Sequence, residues 1–224
     1  MNKVFIDSIK RRLEILIDKS IRCNQAYETL LQILDFQYKH NDLINIAPAF
    51  FSTVKQTCIT TIFIELAGLF CEKERNESVI HLLKDVEMNI SQCEDHGVYI
   101  HVLQHLTDKS LKSIYFDSLE NMVKFCLNLR NDNNTIYTQV KIQRDKYYAH
   151  FDKYTLSHLD ALWKNYRVTY SNIETLLVLN FNLCNALNSY FNDATTIPLA
   201  IGYDDFNSVL FYLEKGYHSQ DLRK

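Results

Sequence analysis

The stretch Arg144-Asp145-Lys146-Tyr147-Tyr148-Ala149-His150-Phe151-Asp152 places an arginine, an acid and a histidine within two helical turns. A guanidinium can hold two phosphate oxygens in a planar fork. A neighbouring carboxylate can orient that fork. An imidazole can take up or release a proton near neutral pH. Together these types suit work on a phosphate ester. The spacing alone carries little weight, because an arginine followed by a histidine at this distance is expected about once by chance in a chain with eight histidines. Arg75 to His81 is such a second occurrence. There, Arg75 falls in a break between helices and His81 in the first turn of the next, which suits a solvated junction.

The element that must carry the first stretch is a helix starting near Thr135, after the polar break Asn131-Asp132-Asn133-Asn134. At 100° per residue, Ile136, Val140, Tyr147 and Phe151 share one side. Arg144 and His150 flank that stripe, provided the helix stays regular through His150. A two-fold mate packed on the stripe would bring Arg144 and His150 of both copies into one cleft. The same residues also fit a plainer role. Arg144 with Asp145 or Asp152 could be a surface ion pair worth under about 1 kcal/mol, and His150 a favourable cation at a helix end.

The remaining segments read as helices. Ile9, Leu13, Leu16, Ser20, Cys23, Tyr27, Leu30 and Leu34 form a seam of near-3.5 period over residues 3–39. A second helix is expected over 43–73, with Ala47, Phe50, Val54, Cys58, Ile62, Leu66 and Phe70 as its stripe, ending in a polar run through Asn76. A third covers 78–90, capped by Asn76 or Ser78. A loop at 91–97 precedes a helix over 110–130, with Leu111, Ile114, Leu119, Met122, Cys126 and Leu129 facing the core. After a loop near 151–157, a central helix runs over 158–192, apolar around a wide arc in its second half. Pro198 and Gly202 mark a linker, and 204–216 a short last helix.

Composition bounds the class. Four Gly and two Pro in 224 residues are too few for an all-β fold. The expectation is one all-α domain over 1–224: a bundle of long antiparallel helices with a core at about 40–192, the N-terminal helix 3–39 packed on it and a C-terminal extension 193–224. A net charge of −3 and a pI near 6.2 exclude bulk electrostatic binding of nucleic acid, so any RNA contact needs a local patch or a dimer groove. The six cysteines (23, 58, 71, 93, 126, 184) lack a Cys-x-x-Cys pair, and several fall on apolar faces as small hydrophobes, which suits a reducing cytoplasm. The charged N-terminus is no signal peptide. The most apolar run, Ile59 to Phe70, is too short and polar to span a membrane.

The nine-residue stretch resembles the Arg-x(4–6)-His signature of the HEPN superfamily, and most closely its abortive-infection, AbiU-type branch. The matching residues are Arg144, Asp145, Lys146, Ala149, His150 and Asp152, with Glu65 to Glu72 resembling the junction that ends an early helix. The resemblance covers about residues 40–190. It implies an HEPN-like helical bundle and a metal-independent endoribonuclease of anti-phage defence or of a toxin–antitoxin system. It needs no cofactor, acts on RNA, forms a homodimer with a composite site, and is restrained by an antitoxin or defence partner. In that reading Arg144, His150 and Asp145 are catalytic, while Lys146 and Tyr148 contact RNA. HEPN toxins adenylated by a partner enzyme carry Tyr two residues after the His. Here that position is Asp152 and Tyr154 is displaced, so that modification is not carried over.

Two other readings stand beside it. A non-catalytic helical module would bind a nucleotide, RNA or protein at the same site without turnover, and the acidic pI leans that way. A metal enzyme would use His101 and His105, four apart on a helix, with Cys93 and His96 nearby. No glutamate follows His101, and no third ligand is assignable.

Overall fold

The computed structural model describes residues 2–72, 77–106, 110–149, 164–196 and 203–221. The chain is predominantly helical, and its one sheet among the described residues is a two-stranded hairpin. The elements are α1 (Lys3–Lys39), α2 (Asn41–Ile44), α3 (Pro48–Leu69), α4 (Val79–Met88), β1 (Val98–Leu103), β2 (Leu111–Phe116), α5 (Leu119–Asp132), α6 (Asn134–Gln143), α7 (Tyr170–Asn192) and α8 (Tyr203–Asp221). A 3₁₀ turn (Ile90–Gln92) follows α4, and a π-helical segment (Arg144–Ala149) follows α6. The all-α expectation holds. Arg75, His150, Asp152, Tyr154, Pro198 and Gly202 lie outside the described residues.

The chain divides into two compact units. One is Met1–Ile21 with Phe63–Pro198, the other Arg22–Ile62 with Leu199–Lys224. The second unit is built around Ile33, Phe36, Leu43, Ile44, Phe51 and Leu210, with Val54 and Phe206 against them. The α1 seam is buried from Ile9 to Leu30 as its period requires, after which Ile33 rather than Leu34 faces the core. The helix expected over 43–73 is interrupted at residues 45–47. Pro48 opens α3 instead, at the one helical position where a missing N–H costs nothing. Within α3 Phe51 rather than Phe50 faces the core, at 4 % against 56 % exposed. The last helix, expected over 204–216, is the longer α8.

In the first unit α7 is central, with every residue from Leu179 to Phe191 buried. It begins at Tyr170 rather than 158. Thr169 stops the chain there by a capping box, its hydroxyl accepting from the Asn172 N–H at 3.2 Å while Asn172 Oδ1 accepts from the Thr169 N–H at 3.0 Å. Thr169→Ala is expected to cost about 1 kcal/mol of unfolding free energy, read as a shifted urea midpoint at constant slope. An unchanged midpoint would show the cap to be idle.

Residues 111–116 form a strand, not the start of a helix over 110–130. Ser118 sets the helix start at Leu119 by accepting from the Asn121 N–H. β1 and β2 pair antiparallel in the register Tyr99↔Tyr115 and His101↔Ser113. The hairpin is anchored through Asn182 of α7. Its Oδ1 accepts from the Leu103 N–H at 2.6 Å and its Nδ2 donates to the Leu103 carbonyl at 3.0 Å. A Cβ at Gly97, just before β1, would stand 2.1 Å from the Tyr115 hydroxyl oxygen, so a larger residue there would have to push the exposed Tyr115 ring aside. All six cysteines are free. Burial pushes the Cys126 and Cys184 thiols up to about 12, so both stay protonated and serve as small apolar side chains.

Candidate functional site

Asn133 alone separates α5 from α6, its Nδ2 donating to the Leu129 carbonyl. α6 packs by Tyr137 and Val140 and buries the amide of Gln143, whose Nε2 donates to the Tyr166 carbonyl. From Arg144 the helix widens into the π form. A π turn bonds i to i+5, so each residue after Arg144 is rotated away from its place on a regular wheel. The assumption of a regular helix through His150 therefore fails within the segment that carries the motif. Such turns occur as local bulges, frequently at functional sites.

Arg144 is half-buried at the first position of this turn. Its Nε lies 2.9 Å from Asp145 Oδ1, but the N–H is not aligned on that oxygen and makes no hydrogen bond. Its two terminal nitrogens have no partner among the described residues. Asp145 thus stands beside the guanidinium at its Nε edge, and no described residue meets the outer edge of the fork. Lys146 is half-buried. Tyr148 stacks on Phe63 with ring centroids 4.7 Å apart and planes at 23°, so one face of its ring is occupied. Burial, and then neighbouring Tyr147, pushes its hydroxyl up to about 12. Arg144, Asp145, Lys146 and Tyr148 are therefore brought onto one short segment, and His150 lies outside the described residues.

A second arginine is held by partners of its own. Arg130, at the end of α5, is only 8 % exposed. Its Nη2 meets Glu72 Oε1 at 2.6 Å, its Nη1 donates to Asn134 Oδ1 at 2.8 Å, and its Cζ sits 5.3 Å from the centre of the Tyr137 ring. Glu72 also faces Lys84 at 3.5 Å. Burial raises the Tyr137 hydroxyl to about 12, Cys71 and Glu72 push the same way, and the charges of Arg130 and Arg144 both oppose it. Tyr137 therefore stays protonated near neutral pH. Sequence reasoning missed Arg130 because it placed Leu129 on the core face. The signal was present: Leu119, Met122, Cys126 and Arg130 run at steps of three and four, and all four are buried.

The alternative pairing of His101 with His105 is not helical. His101 lies in β1, its Nδ1 within 3.0 Å of Ser113 Oγ, and His105 follows the strand's end, so the two do not share a helical face. His96 stacks on Tyr190. Among the described residues no three His, Cys, Asp or Glu side chains group as metal ligands. No helix among them is long and apolar enough to cross a membrane.

The chain was compared with known families. The family described as AbiU2, an HEPN family, matches residues 6–209. No curated protein and no solved structure matches the chain.

Proposed function

We propose that this chain, which belongs to the AbiU2 family of HEPN proteins, is a metal-independent endoribonuclease of anti-phage defence or a toxin–antitoxin system. The observation that carries the reading is Arg144, set at a π turn with Asp145 beside its Nε and the outer edge of its guanidinium without a partner among the described residues. That edge matches two non-bridging phosphate oxygens.

In the reaction the ribose 2′-oxygen attacks the adjacent phosphorus. The O2′–P bond forms, the P–O5′ bond breaks, and the products are a 2′,3′-cyclic phosphate and a 5′-hydroxyl. His150 takes the 2′ proton or supplies one to the leaving 5′ oxygen. Arg144 stabilises the charge gathered on the non-bridging oxygens. Asp145 holds the Arg144 fork in place. Lys146 and Tyr148 meet the flanking RNA. The nucleophile is internal to the substrate and already positioned by it, so the step calls for no metal. Two copies related by a two-fold axis would pool their arginines and histidines in one cleft, and an antitoxin or defence partner would restrain it.

The test is cleavage of total and transfer RNA by wild type and His150→Ala, in excess EDTA, with 3′ ends analysed. Wild type is expected to leave 2′,3′-cyclic ends and His150→Ala to leave the RNA intact. Full cleavage by His150→Ala would overturn the mechanism. RNA binding without cleavage by wild type would favour a non-catalytic binding module, for which the net charge of −3 already speaks mildly.

A further inference from the structure

We propose that the outer edge of β2 is an interface between two copies of this chain. The copies pair edge to edge about a two-fold axis centred on Ser113, which joins two hairpins into one four-stranded antiparallel sheet. The proposal stands apart from the ribonuclease reading, because it uses no residue of the Arg144 segment.

The free backbone groups follow from the ladder. Pairs in an antiparallel ladder alternate between hydrogen-bonded and not. The Gln104 N–H donates to the Ser110 carbonyl at 3.1 Å, so in the register Leu103↔Leu111 the bonded pairs are 104↔110, 102↔112, 100↔114 and 98↔116. The backbone groups of Leu103 therefore turn away from β2, where Asn182 takes both. Those of Leu111, Ser113 and Tyr115 turn away from β1, and no described residue bonds to them. A bare edge of this kind is a template for another strand, and natural sheets usually blunt it. β2 has no proline and a single charge, Lys112. Its outward side chains are uncovered, with Leu111 39 % and Tyr115 55 % exposed.

The edge fits itself. With Ser113 opposite Ser113 of the second copy, Leu111 falls opposite Tyr115 and Tyr115 opposite Leu111. Every outward-facing residue then meets an outward-facing residue, so each of these three pairs exchanges two backbone hydrogen bonds. Leu111 of one copy lies against the Tyr115 ring of the other, a favourable cross-strand pair. Tyr115 already has Tyr99 beside it, with centroids 4.8 Å apart, so the rings of both copies join in one row. Lys112 falls opposite Ile114, and no like charges meet. A register centred on Lys112 would set two ammonium groups face to face and carry Tyr115 beyond the end of the opposite strand. This self-complementarity selects a second copy as the occupant.

The test is sedimentation velocity of the full chain, from micromolar to submillimolar concentration, for wild type, Ser113→Lys and Ser113→Glu. Ser113 is exposed and its hydroxyl meets only the His101 ring, so each variant should melt as wild type does. Wild type is expected to dimerise. Either variant alone sets two like charges opposite each other on the axis and should weaken the dimer by at least about tenfold. An equimolar mixture of the two should restore it, because an ammonium then faces a carboxylate. A fold damaged by substitution cannot give that rescue.

Amide exchange gives a second readout. It should slow at Leu111, Ser113 and Tyr115 as the wild-type concentration rises, and stay constant at Lys112 and Ile114, which β1 already holds. A wild type that remains monomeric would overturn the proposal. So would a dimer that Ser113→Lys leaves intact, since its axis lies elsewhere. Variants that dissociate and are not rescued by mixing would overturn the Ser113-centred pairing and give the edge to a strand of another protein.

Discussion

Arg144→Lys should lower single-turnover RNA cleavage by about two to three orders of magnitude while leaving the helical content and melting temperature of the protein unchanged. The size follows from what removing one preorganised donor to a developing oxyanion costs in other enzymes. Lysine keeps the charge, so a purely electrostatic role for Arg144 would survive the exchange. It does not keep the planar fork, and a bidentate contact to two phosphate oxygens cannot be made by an ammonium. Stability should barely move. The ion pair with Asp145 is partly solvated on both sides, with side chains 26 % and 41 % exposed, and exposed pairs contribute about 0–1 kcal/mol. The contrast between a large rate effect and a small stability effect is the test. Cleavage within about threefold of wild type would remove Arg144 from the reaction. A collapse of the melting temperature along with the rate would make Arg144 structural.

The motif was legible as residues but not as geometry. Types and order of Arg144, Asp145 and Lys146 stand in the sequence, and so does the family. The π turn does not. Its cause is a local change in hydrogen-bond register that no periodicity of the flanking residues announces, and it falls where the wheel was assumed regular. Tyr148 shows the consequence: expected as an open RNA contact, it is held against Phe63 of a distant helix. Arg130 shows the opposite error. Its spacing from Cys126 placed it on the buried face, but an arginine is seldom fully buried and the apolar Leu129 beside it was the easier choice.

The helices were legible where one face is strongly apolar and the ends carry side-chain caps. α1 follows its seam and α4 starts after Ser78, whose hydroxyl accepts from the His81 N–H. The hairpin was not, because Leu111 and Ile114 also fall three apart, a helical interval. The competing signal was composition. Val98, Tyr99, Ile100 and Val102, then Ile114, Tyr115 and Phe116, are β-branched or aromatic. An isolated two-stranded sheet is at best marginally stable, so this hairpin depends on a partner far away in sequence: β1 packs along α7, burying Val98, Ile100 and Leu103, and Asn182 supplies the hydrogen bonds of that contact.

Asn182→Leu should therefore destabilise the first unit by about 3 kcal/mol or more. In wild type the side-chain amide takes both backbone groups of Leu103, as a third strand would, and Asn182 and Leu103 are both buried. Leucine fills similar space and can accept and donate nothing. The Leu103 N–H and carbonyl are then left buried without partners, at about 1–3 kcal/mol each. The loss is large against a typical total of about 5–15 kcal/mol. It should appear as a lower urea midpoint at unchanged slope and as faster amide exchange at Leu103. Exchange should quicken in the hairpin before α7 itself, because α7 keeps its apolar packing through Phe181, Leu183 and Leu187. A loss under about 1 kcal/mol, with the Leu103 amide still protected, would show that water or another group replaces Asn182 and that the hairpin does not hang on it.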